Sequence, residues 1–475
     1  MQQRSTLVLG AFFAGVLATG FVPAQDDGGT LVLRGGYLFD GTGNQRVPNT
    51  GIVVRGGVFQ EVGADLSDDD LDDVLVIELD EDQTVLPGLF DLHAHFAVDL
   101  VGRGRVDETK NYPRIFLGNG VTSVFPAGEM DPELMGDLRR RINAGVEIGP
   151  RLHSSGPYFG SARPGWNRNL TDAQIRAEVD ELASTGVRGF KAKGISTAHL
   201  RPLVDQAHRH GLTVTGHLGS GSGSSVNPRD AILIGIDRIE HFLGGDAFPA
   251  SRSAYASLVE FSVDSPEFDR IAQLFIQRGV FFDATLSAYG YYGEREAQVF
   301  DYWVDERTFF TPWFQDDFAK REPRRVSEQF EQIYWVKRKT IKGFFDAGGA
   351  HLITLGTDHP SWGEFVSGFG VHRELHCLVL AGIPEAAALK IATINGARAL
   401  GLGDKLGTIE PGKLADLVVV TGDPISDIRA TRNTRLVMSA GRVHDAQALL
   451  ASAKGKIGPA DESEKANWGG ATRRR

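Results

Sequence analysis

The sequence predicts an α/β protein: a (β/α)8 TIM barrel carrying a small composite β-sandwich built from the N- and C-terminal segments. Three observations carry this. From Pro87 onward, short apolar strands alternate with longer helical stretches, the rhythm of parallel strands joined by crossover helices. On either side of that region the chain reads as short β-rich runs separated by glycine turns. Histidine, lysine and aspartate recur at the C-terminal ends of the strands so defined, the face where barrels place their chemistry.

At 475 residues the chain exceeds one small domain and suits a barrel plus a second module. Residues 1–24 read as a secretory signal peptide: Arg4 supplies a basic start, 7–22 is apolar, and Val22-Pro23-Ala24 resembles a cleavage site. An uncleaved membrane anchor is the competing reading, because the apolar run approaches spanning length. Residues 25–86 hold the N-terminal part of the sandwich, and 67–73 within them form an acidic, solvated loop. Residues 87–404 form the barrel, with strands expected at 89–93, 122–126, 151–155, 189–193, 213–217, 238–241, 280–285 and 352–357. Residues 405–451 return to strand-and-turn chemistry and join the N-terminal sheet, and 452–475 read as a polar, disordered tail.

A net charge of −11 without a basic stripe argues against nucleic acid as a partner. Cys377 is the one cysteine, so no intrachain disulfide forms, and its apolar surroundings predict a buried thiol. Export without disulfides fits a periplasmic or secreted bacterial enzyme with no stable membrane association once the leader is removed.

His93 and His95 end the first strand two residues apart, so both project to one side of it. Alone, such a pair is weak evidence for a metal. Downstream, the fourth strand supplies Lys191 and Lys193, the fifth ends in His217, the sixth in His241, and the eighth leads into Asp358. Their joint arrival at strand ends points to one metal site. The two lysines share a strand face, so the spacing leaves open which one faces the metals.

At these positions the chain resembles the amidohydrolase superfamily. The resemblance runs from about residue 31 to 445 and rests on the stretch from Leu33 to Gly43, on Pro87-Gly88-Leu89-Phe90-Asp91-Leu92-His93-Ala94-His95, and on the stretch from Ala392 to Leu402 followed by Gly407 to Val420. It implies a binuclear centre with His93, His95 and Asp358 on one metal, His217 and His241 on the other, and a CO2-derived carbamate on Lys191, the lysine best matching the family position, bridging both. The implied ions are two divalent metals, zinc by default and manganese or cobalt as substitutes. They would supply hydroxide near neutral pH and polarise the scissile carbonyl, with Asp358 as general base and then acid toward the leaving nitrogen. The implied substrate is a small amide, dipeptide or N-acyl amino acid, after the dipeptidase, N-acyl amino acid hydrolase and imidazolonepropionase-like branches. A mononuclear deaminase, a cyclic amide or lactone hydrolase and a non-catalytic metal-binding scaffold remain as alternatives.

Several other features carry weaker readings. The connection 285–326 is rich in aromatics (Tyr289, Tyr291, Tyr292, Tyr302, Trp303, Phe309, Phe310, Trp313, Phe314), which fits both a pocket cover and an insertion with its own core. His372 and His376 lie one helical turn apart, but Arg373 stands where a zinc-protease helix needs glutamate, so helix packing with charge pairing is expected. His359 reads as a support for Asp358 or a substrate contact, and His153 and Tyr158 as pocket-facing groups. The Gly219–Ser225 loop lacks a P-loop lysine and reads as a mobile segment near the pocket. His199, His208 and His210 belong to a solvent-facing helix.

Overall fold

The computed structural model describes residues 6–8, 29–66, 71, 74–98, 100, 106–291, 299–300, 304–321, 326–360 and 365–465. Tyr292, Tyr302, Trp303, most of the acidic stretch 67–73, and residues 1–24 apart from Thr6–Val8 lie outside them.

All eight expected strands are present, and all pair in parallel. One sheet runs Arg151–Leu152, Val121–Pro126, Leu89–Ala94; the other runs Tyr158–Phe159, Gly189–Lys193, Thr213–His217, Arg238–Glu240, Phe281–Asp283, Ile353–Thr354. Single backbone bonds join the two sheets. Arg188 N–H donates to Ser154 O at 2.7 Å, Leu92 N–H to Leu355 O at 3.0 Å, and Asp358 N–H to His93 O at 2.6 Å.

Four strands are shorter than expected at their C-terminal ends. The third stops at Leu152 and resumes as Tyr158–Phe159, while the last three stop at Glu240, Asp283 and Thr354. For two of the four the cause is local: His241 and Thr285 have φ of 67° and 48°, a left-handed conformation that no strand accommodates, and Asp358 beyond the last strand has φ 56°. The chain turns sharply at the residues that carry the chemistry, and the turn aims their side chains.

The connecting helices start where capping chemistry dictates. Asp131, Ser196, Ser265 and Ser327 each accept an N–H from the first turn, and Thr171 with Gln174 forms a reciprocal capping box. The helix Pro266–Arg278 buries Phe268, Ile271, Ala272 and Phe275, the i, i+3, i+4, i+7 stripe of an amphipathic helix.

Both chain ends contribute to one further sheet. Its order is Arg442–Asp445, Thr434–Ser439, Leu417–Thr421, Leu75–Pro87, Thr30–Leu38, Ile52–Arg55, Val58–Val62, with Val47–Pro48 on Thr30–Leu38 and Thr6–Val8 on Leu75–Pro87. Leu417–Thr421 runs antiparallel to the end of Leu75–Pro87 and so ties the C-terminal segment to the N-terminal one. Leu33, Ile52, Phe59, Val85, Val419 and Met438 fill its core. Gly88 then leads directly into the first barrel strand, and a Cβ there would lie 2.1 Å from Thr122 Oγ1, so only glycine fits the crossing.

The tail departs from expectation. The helix Ala446–Ala453 continues past residue 452, Ile457 is fully buried, and its backbone bonds to Phe309 and Thr311. An apolar residue in a polar tail found a dry site, and backbone pairing followed. Among the described residues no helix is long and apolar enough to cross a membrane. Cys377 is buried as expected, with Tyr334 Oη 3.7 Å from its sulfur.

The barrel and the sheet are locked together by a bidentate pair: Arg151 Nε and Nη2 donate to Asp416 Oδ2 and Oδ1 at 2.7 and 3.0 Å. Asp416 is buried, and its Oδ1 also accepts the Ala440 N–H at 2.7 Å. Asp416→Ala leaves a guanidinium and an N–H without their acceptor, so unfolding free energy should fall by about 2–3 kcal/mol. A urea midpoint within experimental error of the wild-type value would refute this coupling.

Candidate metal centre

The six residues singled out from the sequence converge on one region. Four imidazoles form a row, with ring centroids 5.3 Å apart for His95 and His93, 5.0 Å for His93 and His241, and 4.3 Å for His241 and His217. Asp358 closes one end: its Oδ1 lies 2.9 Å from His95 Nε2 and 3.3 Å from His93 Nε2. Lys191, buried beneath the row, places Nζ 3.2 Å from His93 Nε2. Lys193 lies beside His217 in the register of neighbouring strands and is more exposed than Lys191.

Two groups of ligand atoms lie within 4.8 Å of one another: His93, His95, Asp358 and His93, Glu240, His241. The first is the trio that the resemblance implies. The second brings in Glu240, which sequence reasoning passed over. Its carboxylate is fully buried, takes a charged hydrogen bond from Lys191, accepts from Thr215 Oγ1 at 3.0 Å, and lies 3.6 Å from His93 Nδ1. The available signal was position, since Glu240 is the last residue of its strand, directly before His241.

Electrostatics favour neutral imidazoles that keep a lone pair. Burial lowers His95 to about 4 and drives His217 and His241 well below the usual histidine value. His93 alone goes up, because the Glu240 carboxylate and other nearby acids outweigh its burial. Burial would raise Asp358, yet the charge of His93 and hydrogen bonds from His93 and His95 hold it well below the carboxylate range. Lys191 falls to about 8 through burial, with Glu240 opposing the drop. His241 Nδ1 is engaged by Thr285 Oγ1 at 2.6 Å, while its buried Nε2 has no hydrogen-bond partner. A buried imidazole nitrogen without a proton partner, set among other neutral imidazoles and an ionised carboxylate, is the donor set that suits a divalent ion.

The aromatic connection walls the row at one end and joins the main core at the other. Tyr289 packs 5.7 Å from the His241 ring and 6.0 Å from Tyr255, walling the His241 side of the row with Phe242 and Phe330. Phe310, Phe314 and Phe318 pack on one another within the main hydrophobic core rather than in a core of their own. The buried Lys337 donates to His241 O at 2.6 Å and sits 4.2 Å from the Tyr289 ring centre, so it braces the backbone of a candidate ligand.

The remaining candidates fall outside the row. His153 stacks on Phe90 and places Nε2 3.2 Å from Ser123 Oγ, while Tyr158 is buried beneath Lys193. His359 is buried against Phe365 with Nε2 3.1 Å from Ser287 Oγ, a supporting position behind Asp358. In the helix Gly370–Leu380, His372 bonds Thr431, Arg373 pairs with Glu306, and Glu374 accepts the N–H groups of Leu286 and Ser287, all packing roles. His208 and His210 pair with Asp237 and Asp180 on the outer surface.

With this geometry in place, comparison with known proteins is informative. A model of the amidohydrolase family matches residues 84–444. The enamidase of Eubacterium barkeri is 29% identical over 385 residues, covering 78% of this chain and 80% of that protein. Among solved structures, a Xaa-Pro dipeptidase with methionine bound in its active site superposes with a TM-score of 0.65 at 24% identity, covering 88% of this chain and all of the other. The ochratoxinase of A. niger gives 0.63 at 19% identity, covering 92% of this chain and 98% of the other. The two structural likenesses bear on the fold, which is a TIM-barrel-like α/β arrangement. The family match spans most of the sequence and includes every strand that carries the imidazole row, so this chain belongs to the amidohydrolase family and is a hydrolase acting on carbon–nitrogen bonds.

Proposed function

We propose that this chain is an exported, metal-dependent hydrolase that cleaves the C–N bond of a small amide, a dipeptide or N-acyl amino acid, inside a closed (β/α)8 barrel. The observation that carries the reading is the buried row His95, His93, His241, His217, with an unpartnered His241 nitrogen, an ionised Asp358 at one end and Lys191 beneath. Barrel closure is supported by the bonds between Leu92 and Leu355 and between Arg188 and Ser154. Export is supported by the leader-like start. Removing residues 1–24 costs the sheet only the strand Thr6–Val8, since Leu75–Pro87 keeps its pairing with Thr30–Leu38 and Leu417–Thr421.

His93, His95 and Asp358 would hold one divalent ion, and His217 with His241 a second, with a carbamate on Lys191 between them. When bound, such ions make water nucleophilic near neutral pH and polarise the scissile carbonyl. Asp358 is placed to accept the proton of the attacking water and return it to the leaving nitrogen, because its carboxylate is ionised and lies against two imidazoles. Tyr289 and its aromatic neighbours exclude water on the His241 side. Carbamylation turns Lys191 from a cation into an anion and removes its bond to Glu240. Thr215 already donates to Glu240, and Arg238 Nη2 lies 4.0 Å away, so that carboxylate keeps partners after the change.

Metal analysis should return two ions per chain, lost together in Lys191→Ala; retention of both ions by that variant would remove lysine from the bridge. Asp358→Asn should lower kcat on a cleaved dipeptide or N-acyl amino acid by about 10²–10⁴-fold. A fall of less than threefold, in protein with its metal content measured, excludes a proton-transfer role. Mass spectrometry of the exported protein should place the new N-terminus near Gln25. Absence of turnover across dipeptides, N-acyl amino acids and lactones, with metals bound, would favour a non-catalytic scaffold.

A further inference from the structure

Resting on the hydrolase reading above, the geometry points to Lys193 as a binding residue for a carboxylate on the substrate. We propose that the pocket selects substrates whose carboxylate reaches the strand-four side, beside Tyr158 and His217, while the scissile bond lies over the imidazole row.

Lys193 is the last residue of Gly189–Lys193, two positions after Lys191, so it projects to the same side one step nearer the mouth. Lys191 is 1% exposed, whereas Lys193 is half-buried. Every other half-buried or buried cation near the row has a partner: Lys191 has Glu240, Lys337 the carbonyl of His241, and Arg238 lies within 4.0 Å of both Glu240 and Asp283. Among the described residues, no acidic side chain lies within ion-pair distance of Lys193. Its neighbour is the Tyr158 ring, whose centre is 6.0 Å from Nζ, a weak attraction at most. Partial burial of an ammonium without a counter-ion costs free energy, and binding of an anion recovers it.

The residue is also held in place. The loop after Tyr158–Phe159 closes on the backbone here, with Ser161 N–H donating to Gly194 O at 3.1 Å and Ala162 N–H to Lys193 O at 3.4 Å. Gly160, at φ 127°, makes this approach possible, since a Cβ there would lie 2.2 Å from Lys193 O. Asp358 stands at the far end of the row against His95, whereas Lys193 stands beside His217. A substrate spanning the row therefore meets a carboxylate at the end where proton transfer is needed and an ammonium at the end where an anion is welcome.

The test compares wild-type, Lys193→Met and Lys193→Arg as metal-loaded full-length protein. Two substrates are used, N-acetyl-leucine and its carboxylate-free analogue N-acetyl-3-methylbutylamine, and two ligands whose binding needs no turnover, N-benzylglycine and N-benzylethanolamine, which carries the same ammonium but no carboxylate. The wild type should bind N-benzylglycine at least about tenfold more tightly by calorimetry. Lys193→Met should abolish that preference and lower the ratio of kcat/KM for the two substrates by about tenfold, mainly through KM, while Lys193→Arg should restore much of it. Metal content of Lys193→Met should equal that of the wild type; loss of metal would make Lys193 a ligand and overturn the proposal. Amide hydrolysis without carboxylate preference sinks the proposal and spares the hydrolase reading. Carboxylate-selective binding that depends on Lys193, without any hydrolysis, does the reverse.

Discussion

Asp91 is the constraint on which the site depends. Its fully buried carboxylate accepts the His93 N–H at 3.1 Å, the Thr357 N–H at 3.1 Å and the Thr357 hydroxyl at 2.8 Å, so one side chain fixes the ends of the first and last barrel strands against each other. His93 and Asp358 are the neighbours of those fixed points, 265 residues apart in sequence, and the N–H of Asp358 donates to His93 O at 2.6 Å. Burial raises Asp91 to about 6, and only its three donors keep the ionised form affordable inside the barrel. Close packing guards the same seam: a Cβ on Gly356 would lie 2.1 Å from Asp283 Oδ2 and 2.5 Å from His93 Cβ. Position, not ligand chemistry, is what this part of the chain has been shaped to secure.

Much of this architecture was legible in the sequence because parallel strands buried on both faces write themselves as short apolar runs. Gly189–Lys193 and Thr213–His217 fall where periodicity places them, and the sheet shared by both chain ends follows from their matching strand-and-turn composition. The strand ends were less legible. His241, Thr285 and Asp358 adopt left-handed backbone that their residue types disfavour, and tertiary contacts impose it, so local propensity carries no trace of it. Asp91, Glu240 and Asp283 escaped notice for a related reason. A carboxylate inside an apolar strand looks like an isolated polar residue until the neighbouring strands bring Thr357, Lys191 and Arg238 to it. Ile457 shows the converse limit, since composition made its segment a tail and a single apolar residue anchors it.

The loops supply what the strands do not. Tyr289 comes from the long seventh connection, Tyr255 from the sixth, and Phe330 from the helix Glu328–Asp346, yet the three rings meet within 6.1 Å of one another beside His241. Rings from separate connections can be exchanged without moving a strand, which makes this wall the natural place for substrate choice to vary while the imidazole row stays fixed. The part of the connection around Phe310 and Phe314 packs into the main core and so anchors the wall.

Charge beneath the row completes the argument. Asp91, Glu240, Asp283 and Asp358 are buried or nearly so, and the cations buried with them are Lys191, Arg238 and Lys337. Water is excluded from this region, where the acids raise His93 while the neighbouring imidazoles His217 and His241 resist protonation. A low-dielectric interior keeps charges only where opposite charges lie close, and here Lys191 pairs with Glu240 while Arg238 lies within 4.0 Å of both Glu240 and Asp283. Divalent cations, held at the row, would add positive charge there without any new charged side chain. Lys191, as an ammonium, offsets Glu240, which also accepts from Thr215 and lies near Arg238. The buried acids and the imidazole row thus form one electrostatic unit, in which Glu240 and Asp358 raise His93 and His93 in turn holds Asp358 ionised.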